Sequence, residues 1–170
     1  MVEPILDPGY WKSRYERVIR VGWPLQYSIY HGCVPDTWEA IASNHRLEIA
    51  KYIGPNESVL DVGCGWGRLA YLMPTTWRGS YLGIDLSPTF ISLAKENHPD
   101  LEFQCMPVEH LDDLYTKGYE FDWAVLISFK QMVINNLEIE TWNEYETTIK
   151  KVAKKILVLE YAEDNKGEVL

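Results

Sequence analysis

The sequence predicts an α/β protein built on a doubly wound, mostly parallel sheet. From Val59 onward, short aliphatic runs alternate with helical segments, which is the rhythm of parallel βαβ units. Several of these runs lack polar alternation, as is typical of strands buried on both faces. A glycine-rich turn follows the first run. Ligands of such sheets bind at the carboxyl ends of the strands, so we expect a site at this turn.

Five strand candidates appear in chain order: SVLDV, SYLGID, LEFQC, FDWAVLIS and KKILVLEYA. The helix candidates between them are WGRLAYLM, PTFISLAKENH, PVEHLDDLY and the stretch from Glu140 to Lys155. Ser87 is a candidate N-cap of the second helix, and Pro88 takes its first position. The pattern predicts the strand order 3-2-1-4-5.

The first 55 residues precede this alternation and predict a helical extension that covers the carboxyl edge of the sheet. Asp36 and Glu39 form a capping-box variant for a helix from about Thr37 to Ile53. The aromatic segment before it, residues 9–32, predicts a short helix and a long loop.

Length and composition indicate one domain over residues 1–170, with an N-terminal region at 1–55 and a core at 56–162. The chain has 170 residues, of which 46% are hydrophobic, enough for a full core without disulfides. It contains three cysteines without a CxxC pair, which indicates neither a disulfide framework nor a zinc site. They are Cys33, Cys64 and Cys105. A reducing, cytoplasmic setting is therefore expected.

No apolar run is long enough to cross a membrane, and the N-terminus has no export-signal pattern. The formal net charge of −9 disfavours a nucleic-acid partner, because an acidic domain repels a phosphate backbone. Four lysines late in the chain are interpreted as residues that offset the helix dipole in the last turns of the final helix. They are Lys150, Lys151, Lys154 and Lys155.

The run VLDVGCGWGRLA, Val59 to Ala70, carries the most information about function. It ends a strand at Asp61 and places Gly63, Gly65 and Gly67 before a helix, where positive φ and close approach of a ligand favour glycine. The dinucleotide fingerprint GxGxxG would place its third glycine at position 68, which is Arg68, and no GK[ST] of a P-loop follows. A ligand without phosphates fits better, and a positively charged one would tolerate Asp61.

Asp85 ends the second strand candidate, twenty-four positions after Asp61. An acidic residue at this place in nucleoside-binding sheets accepts hydrogen bonds from the ribose hydroxyls. The alternative role is a carboxylate that caps the helix beginning near Pro88. The glycine turn upstream favours ribose binding.

The segment from Val59 to Val133 resembles the core of the class I S-adenosylmethionine-dependent methyltransferases. Four runs match the family's motifs in order: VLDVGCGWG, YLGIDLSPTFISLAKEN, EFQCMPVEHL and FDWAVLISF. The resemblance implies a Rossmann-like sheet and methyl transfer from S-adenosylmethionine, which leaves S-adenosylhomocysteine.

The resemblance also implies three groups of cofactor-binding residues. Those along the methionine part, with Asp61 at its amino group, are Asp61, Gly63, Cys64, Gly65 and Gly67. Those at the ribose and adenine are Asp85, Leu86, Met106, Pro107 and Val108. Those nearest the transferred methyl group are Ile127 and Ser128. By this alignment Pro107 replaces an Asp that often binds the adenine amino group.

After KKILVLEYA too little chain remains for the last helix and the antiparallel hairpin of a typical family sheet. We therefore expect a shortened sheet that lacks this hairpin, and an exposed last strand that a second subunit could cover.

An N-terminal helix or loop in many family members folds over the cofactor, and Trp11 is the preferred contact here, with Tyr10 and Tyr15 nearby. Aromatic faces attract a sulfonium by cation–π interaction. The alternative is that these rings only pack the N-terminus onto the domain. His31 is interpreted as an ordinary loop residue, and three other histidines are interpreted as surface residues, without metal-ligand spacing. They are His45, His98 and His110.

Methyl transfer requires mainly alignment of the nucleophile, so no catalytic residue is assigned. A small molecule is the expected acceptor, with a protein side chain next. A second hypothesis is a binding module for the cofactor or its product that lacks transfer activity or acts with a partner subunit. A third is a nicotinamide-dependent oxidoreductase, against which Arg68 argues.

Overall fold

One six-stranded sheet organises the chain, and the computed structural model describes it through residues 6–20, 35–160 and 167–170. The helices are α1 (Pro8–Arg20), α2 (Pro35–Tyr52), α3 (Arg68–Leu72), α4 (Pro88–Asn97), α5 (Leu111–Thr116), α6 (Phe129–Asn136) and α7 (Ile139–Val152). The strands are β1 (Val59–Val62), β2 (Tyr81–Asp85), β3 (Glu102–Cys105), β4 (Phe121–Ile127), β5 (Ala153–Leu159) and β6 (Glu168–Val169). A 3₁₀ turn, Val108–His110, leads into α5. His31 and Cys33 lie outside the described residues.

The sheet has the order β3-β2-β1-β4-β5-β6. Strands β1 to β5 run parallel, with Val59 opposite both Tyr81 and Trp123. The predicted doubly wound fold and the order 3-2-1-4-5 are therefore confirmed.

Successive side chains of the strands point to opposite faces, and each face is covered by its own helices. Val59 shares one apolar cluster with Ile49 of α2, while Leu60 shares the other with Leu111 of α5 and Ile149 of α7. All five side chains are fully buried. Burial of each such side chain stabilises the fold by roughly 1.5–3 kcal/mol, so both helical layers hold the sheet.

The prediction that the sheet lacks its final antiparallel hairpin is wrong. Strand β6 pairs antiparallel with β5, with Leu157 opposite Val169. Ile156 and Leu170 exchange two backbone hydrogen bonds, of 3.1 and 2.9 Å. The hydrogen bonds between paired strands join backbone groups only. A two-residue strand can therefore form without any periodic sequence pattern. Strand β6 covers part of the edge of β5. The exposed last strand on which the hypothesis of a second subunit was based is therefore partly paired within the chain.

Helix boundaries differ from the predictions at three places. Helix α2 begins at Pro35, so Asp36 lies within its first turn and not before it. Helix α6 begins one residue after β4 and was not predicted. The run SFKQ at its start has the residue types of a capping box, but Ser128 is left-handed and its side chain makes no capping hydrogen bond. Lys154 and Lys155 belong to β5, so only the other two of the four late lysines lie in the last turn of α7. No helix within the described ranges is long and apolar enough to cross a membrane.

Asp122 connects the start of β4 to the residue before β1. Its carboxylate accepts hydrogen bonds from the backbone N–H and the hydroxyl of Ser58, both at 2.9 Å, and from Lys154 Nζ at 3.0 Å. The Ser58 N–H and the Lys154 ammonium lower the pKa of Asp122 to about 2. Since this pKa is below its unfolded value, the interaction stabilises the protein above about pH 4 and is lost as the pH falls from 4 toward 2.

We expect Asp122→Asn to lower the free energy of unfolding by about 1 kcal/mol at pH 7, because the side chain is partly exposed and solvent screens the charge. Urea unfolding at pH 7 and pH 3 measures this, and the difference from the unsubstituted protein should shrink at pH 3. Asp100→Asn, in the exposed turn before β3, is the control. A pH-independent loss would show that the charge of Asp122 is not responsible.

Candidate functional site

The strand order reverses between β1 and β4, since β2 and β3 lie on one side of β1 and β4 and β5 on the other. In open α/β sheets, ligands bind outside the carboxyl ends of the strands at such a switch point. Two connections meet there, the loop at residues 63–67 after β1 and the junction at Ser128 after β4.

The loop after β1 requires its three glycines. Gly63, Gly65 and Gly67 have φ values of 73°, 54° and 89°, a region that L side chains rarely adopt. Space is also short, because a Cβ at Gly63 would lie 2.7 Å from the ring of Phe129. The predicted tight glycine turn is confirmed, while its contact with a ligand stays a prediction.

The same loop is fastened to β2 by backbone hydrogen bonds. The N–H groups of Gly63 and Cys64 both donate to the carbonyl of Ile84, each at 2.9 Å. The Cys64 side chain is 2% exposed, and burial raises the pKa of its thiol well above the usual range. Cys64 therefore presents its backbone, and not a reactive thiolate, to the site.

Asp85 joins the glycine loop to the start of α4. Its Oδ2 accepts a hydrogen bond from Gly65 N at 3.0 Å, and its Oδ1 accepts one from Ser87 N at 2.8 Å. Ser87 in turn caps α4 as predicted, since its hydroxyl accepts from Phe90 N. Burial raises the pKa of Asp85 to about 6, although the two N–H donors oppose this shift. A carboxylate offers about four lone-pair positions, so two remain for ribose hydroxyls.

Asp61 is 2% exposed and lies beneath the loop. Its carboxylate accepts a 2.5 Å hydrogen bond from the hydroxyl of Tyr81. Burial raises the pKa of Asp61 to about 7, and the nearby charge of Asp85 adds to this effect. Tyr81 was not predicted as a site residue, because its pairing with Asp61 depends on the register of two strands.

The residues predicted at the adenine lie beside Asp85. Met106 N donates to the backbone carbonyl of Asp85 at 3.0 Å, and the Cys105 thiol lies 3.6 Å from the carbonyl of Leu86. Val108 is buried, and Pro107 is half-buried. The structure therefore brings the predicted ribose and adenine residues together at one corner of the sheet.

Ser128, the residue after β4, has a strained backbone conformation. Its φ of 57° is the only positive φ of a non-glycine residue within the described part of the chain. Its N–H donates to the carbonyl of Leu159 at 2.7 Å, and its Oγ is buried without a hydrogen-bond partner there. Such strain and such orphaned polar atoms concentrate at functional sites.

Trp11 of α1 packs against α4, 6.2 Å from the ring of Phe90. Both rings share an apolar cluster with Trp66 of the glycine loop. The indole N–H of Trp66 is buried and has no hydrogen-bond partner among the described residues. This packing is what the structure shows for Trp11, and its contact with a ligand stays a prediction.

Two histidines differ from the prediction that they lie on the surface. His45 is fully buried, because its ring fills the space between Arg68 and the end of β5. His98 is half-buried, and its Cδ2 would lie 2.5 Å from a Cβ at Gly67. His110 is exposed, as predicted.

Comparison with known proteins gives three findings. A model of the family described as a methyltransferase domain matches residues 59–155. A putative methyltransferase of Invertebrate iridescent virus 6 is 36% identical over 66 residues, which are 37% of this chain and 25% of that protein. A malonyl-[acyl-carrier protein] O-methyltransferase of Acetivibrio thermocellus is 28% identical over 101 residues, 58% of this chain and 31% of that protein. The chain thus spans only a quarter to a third of these relatives.

Among solved structures, the magnesium protoporphyrin IX methyltransferase of Synechocystis PCC 6803 with bound SAM superimposes with a TM-score of 0.60. It is 16% identical, and the match covers 93% of this chain and 76% of that one. At this identity the likeness is one of fold.

We expect Asp61→Asn to be more stable than the unsubstituted protein at pH 8, by roughly 2 kcal/mol, because it removes a buried charge but keeps an acceptor for Tyr81. Since the folded pKa of Asp61 is raised to about 7, ionisation destabilises the fold as the pH rises from about 4 to 7. The advantage of the variant should therefore grow over this range in urea unfolding.

The exposed Asp113→Asn on α5 provides the matched control and should show no such pH-dependent gain. If Asp61→Asn is less stable than the unsubstituted protein at pH 8, contacts stronger than the Tyr81 hydrogen bond stabilise the charged carboxylate.

Proposed function

Because the matching family model covers more than half of the chain, this protein belongs to the methyltransferase domain family, and we propose that it transfers a methyl group from S-adenosylmethionine to a small molecule. Asp85 at the end of β2, held to Gly65 of a left-handed glycine loop, carries this proposal. The pair sits at the carboxyl edge of a doubly wound sheet, next to its switch point, where a nucleoside ligand is expected.

The cofactor residues are those that the sequence resemblance named. The left-handed turn at Gly63, Gly65 and Gly67 would place the loop backbone along the cofactor, and Asp85 would bind the ribose with its remaining lone pairs. Leu86 and the run Met106, Pro107 and Val108 would hold the adenine. The buried charge of Asp61 favours the amino group of the methionine part.

S-adenosylmethionine supplies an electrophilic methyl group on a sulfonium centre. The chain's contribution is alignment, which can by itself account for much of a transfer barrier. Ile127 and Ser128 follow one another at the carboxyl end of β4, beside the switch point, and would be the residues nearest the transferred methyl group. The Oγ of Ser128 is buried and has no hydrogen-bond partner among the described residues.

A small-molecule acceptor fits the surroundings of the site. The net charge of −9 opposes a nucleic acid. The buried cluster of Trp11, Trp66 and Phe90 packs next to the glycine loop, and small-molecule sites are typically built from such apolar and aromatic side chains. A protein side chain is the next candidate. A cytoplasmic location belongs to the same proposal.

The first test is thermal stability with S-adenosylmethionine, S-adenosylhomocysteine and NAD. A ligand at a hundred times its Kd should add about 2.7 kcal/mol to the folded state. We expect both adenosyl compounds to raise the Tm and NAD to have no effect. Stabilisation by NAD alone would overturn the proposal in favour of an oxidoreductase.

In the same experiment, Asp85→Asn should bind S-adenosylhomocysteine at least ten-fold more weakly, about 1.4 kcal/mol or more, because one acceptor for the ribose is lost. Glu96→Gln on the exposed face of α4 is the control and should bind normally. Unchanged affinity of Asp85→Asn would refute the ribose assignment.

Substitutions at Ser128 separate its strain from its hydroxyl. Ser128→Gly should be about 1 kcal/mol more stable than Ser128→Ala, because only glycine adopts the positive φ without strain. Both variants lack the hydroxyl and should bind S-adenosylhomocysteine equally. Chemical denaturation and calorimetry measure the two quantities. Equal stabilities would show that the backbone at this junction relaxes.

A further inference from the structure

We propose that His45 is a positioning residue that couples the glycine loop to the residues that directly follow β4 and β5. It is fully buried. It links Arg68, which directly follows Gly67, to Glu160, which directly follows β5. The inference rests on the proposed function, since the glycine loop and the Ser128 junction belong to the proposed site.

The first link is the contact between Arg68 and His45. Arg68 is the first residue of α3 and is 3% exposed. Its Nη2 lies 3.1 Å from His45 Nδ1. A guanidinium has only donors, so Nδ1 must accept this hydrogen bond. The buried start of α3, and with it the end of the glycine loop, is therefore held by α2.

The second link follows from the tautomer that the first requires. If Nδ1 accepts, the ring is neutral and its proton is on Nε2, which donates to the carbonyl of Glu160 at 2.9 Å. Burial lowers the pKa of His45 in agreement with a neutral ring. One uncharged ring thus accepts a hydrogen bond from Arg68 at the start of α3 and donates one to Glu160 after β5.

The third link runs through the side chain of Glu160. Its Oε1 accepts from the backbone N–H of Gln131 at 3.0 Å. Gln131 lies in the first turn of α6, three residues after Ser128. The backbone N–H of Ser128 itself donates a hydrogen bond to the carbonyl of Leu159, the residue before Glu160. The same polar chain therefore reaches both sides of the switch point.

A merely space-filling role would not need this ring. His45 is 0% exposed, and an apolar side chain of similar size would avoid the desolvation of two ring nitrogens. An imidazole at this position has the particular property of joining a donor on one side to an acceptor on the other. Glutamine shares that property, because its amide carries both an oxygen acceptor and an N–H donor.

The test compares His45→Gln with His45→Leu. We expect His45→Leu to bind S-adenosylhomocysteine at least ten-fold more weakly than the unsubstituted protein by calorimetry. Amide hydrogen exchange without ligand should rise at least ten-fold in residues 63–72 and 128–136 together, and stay unchanged in α4. His45→Gln should restore affinity and exchange to within three-fold.

Three results would overturn the proposal. In the first, His45→Leu binds S-adenosylhomocysteine and exchanges its amide hydrogens like the unsubstituted protein. In the second, amide exchange rises equally in α4, which indicates a global loss of stability, and in the third His45→Gln binds and exchanges no differently from His45→Leu. If His45→Leu does not fold, His45→Asn replaces it, since asparagine is polar but too short to reach both partners. The same local exchange pattern is then expected.

Failure of the proposed function gives a different result. If the unsubstituted protein does not bind S-adenosylhomocysteine, the cofactor assignment is wrong. The exchange data still decide whether His45 couples the two loops, because they are collected without ligand.

Discussion

The hydrogen bond between Gly65 N and Asp85 Oδ2, 3.0 Å long, connects the features on which the site depends. It requires a left-handed backbone at Gly65 and a loop that folds back over the end of β2. It also requires β1 and β2 to lie side by side in parallel, with Val62 opposite Ile84. Loss of any one of these would separate the carboxylate from the loop and open the corner where the ribose is proposed to bind.

Much of the fold was predictable because β1, β2, β4 and most of β5 are buried on both faces and therefore read as apolar runs. Strand β3 is partly exposed and was predicted from the alternation of strands and helices, and helix α4 was predicted from Ser87 and Pro88 at its start. Strand β6 was missed because two residues carry no period, and its pairing depends on the backbone of β5. Helix α6 was missed because its start is set by the strained turn at Ser128 and by Glu160, far away in sequence.

The residues of the site likewise divide into those that the sequence predicts and those that it does not. Gly63, Gly65, Gly67 and Asp85 are local signals, each tied to the end of a strand, and the structure brings them to one edge. Tyr81, His45 and Arg68 gave no such signal, because their partners come from other elements. A buried histidine in an amphipathic helix looks like any other helical residue until its neighbours are known.

The two buried carboxylates also bear on which ligand this crevice can hold. Burial raises the pKa of Asp61 to about 7 and of Asp85 to about 6, and the charge of Asp85 disfavours ionisation of Asp61. A pyrophosphate would add like charge to this corner, whereas a sulfonium and an ammonium would lower both pKa values. Binding of a cationic ligand is then linked to release of protons from the crevice. Two buried carboxylates at this corner therefore agree better with a cationic ligand than with a pyrophosphate.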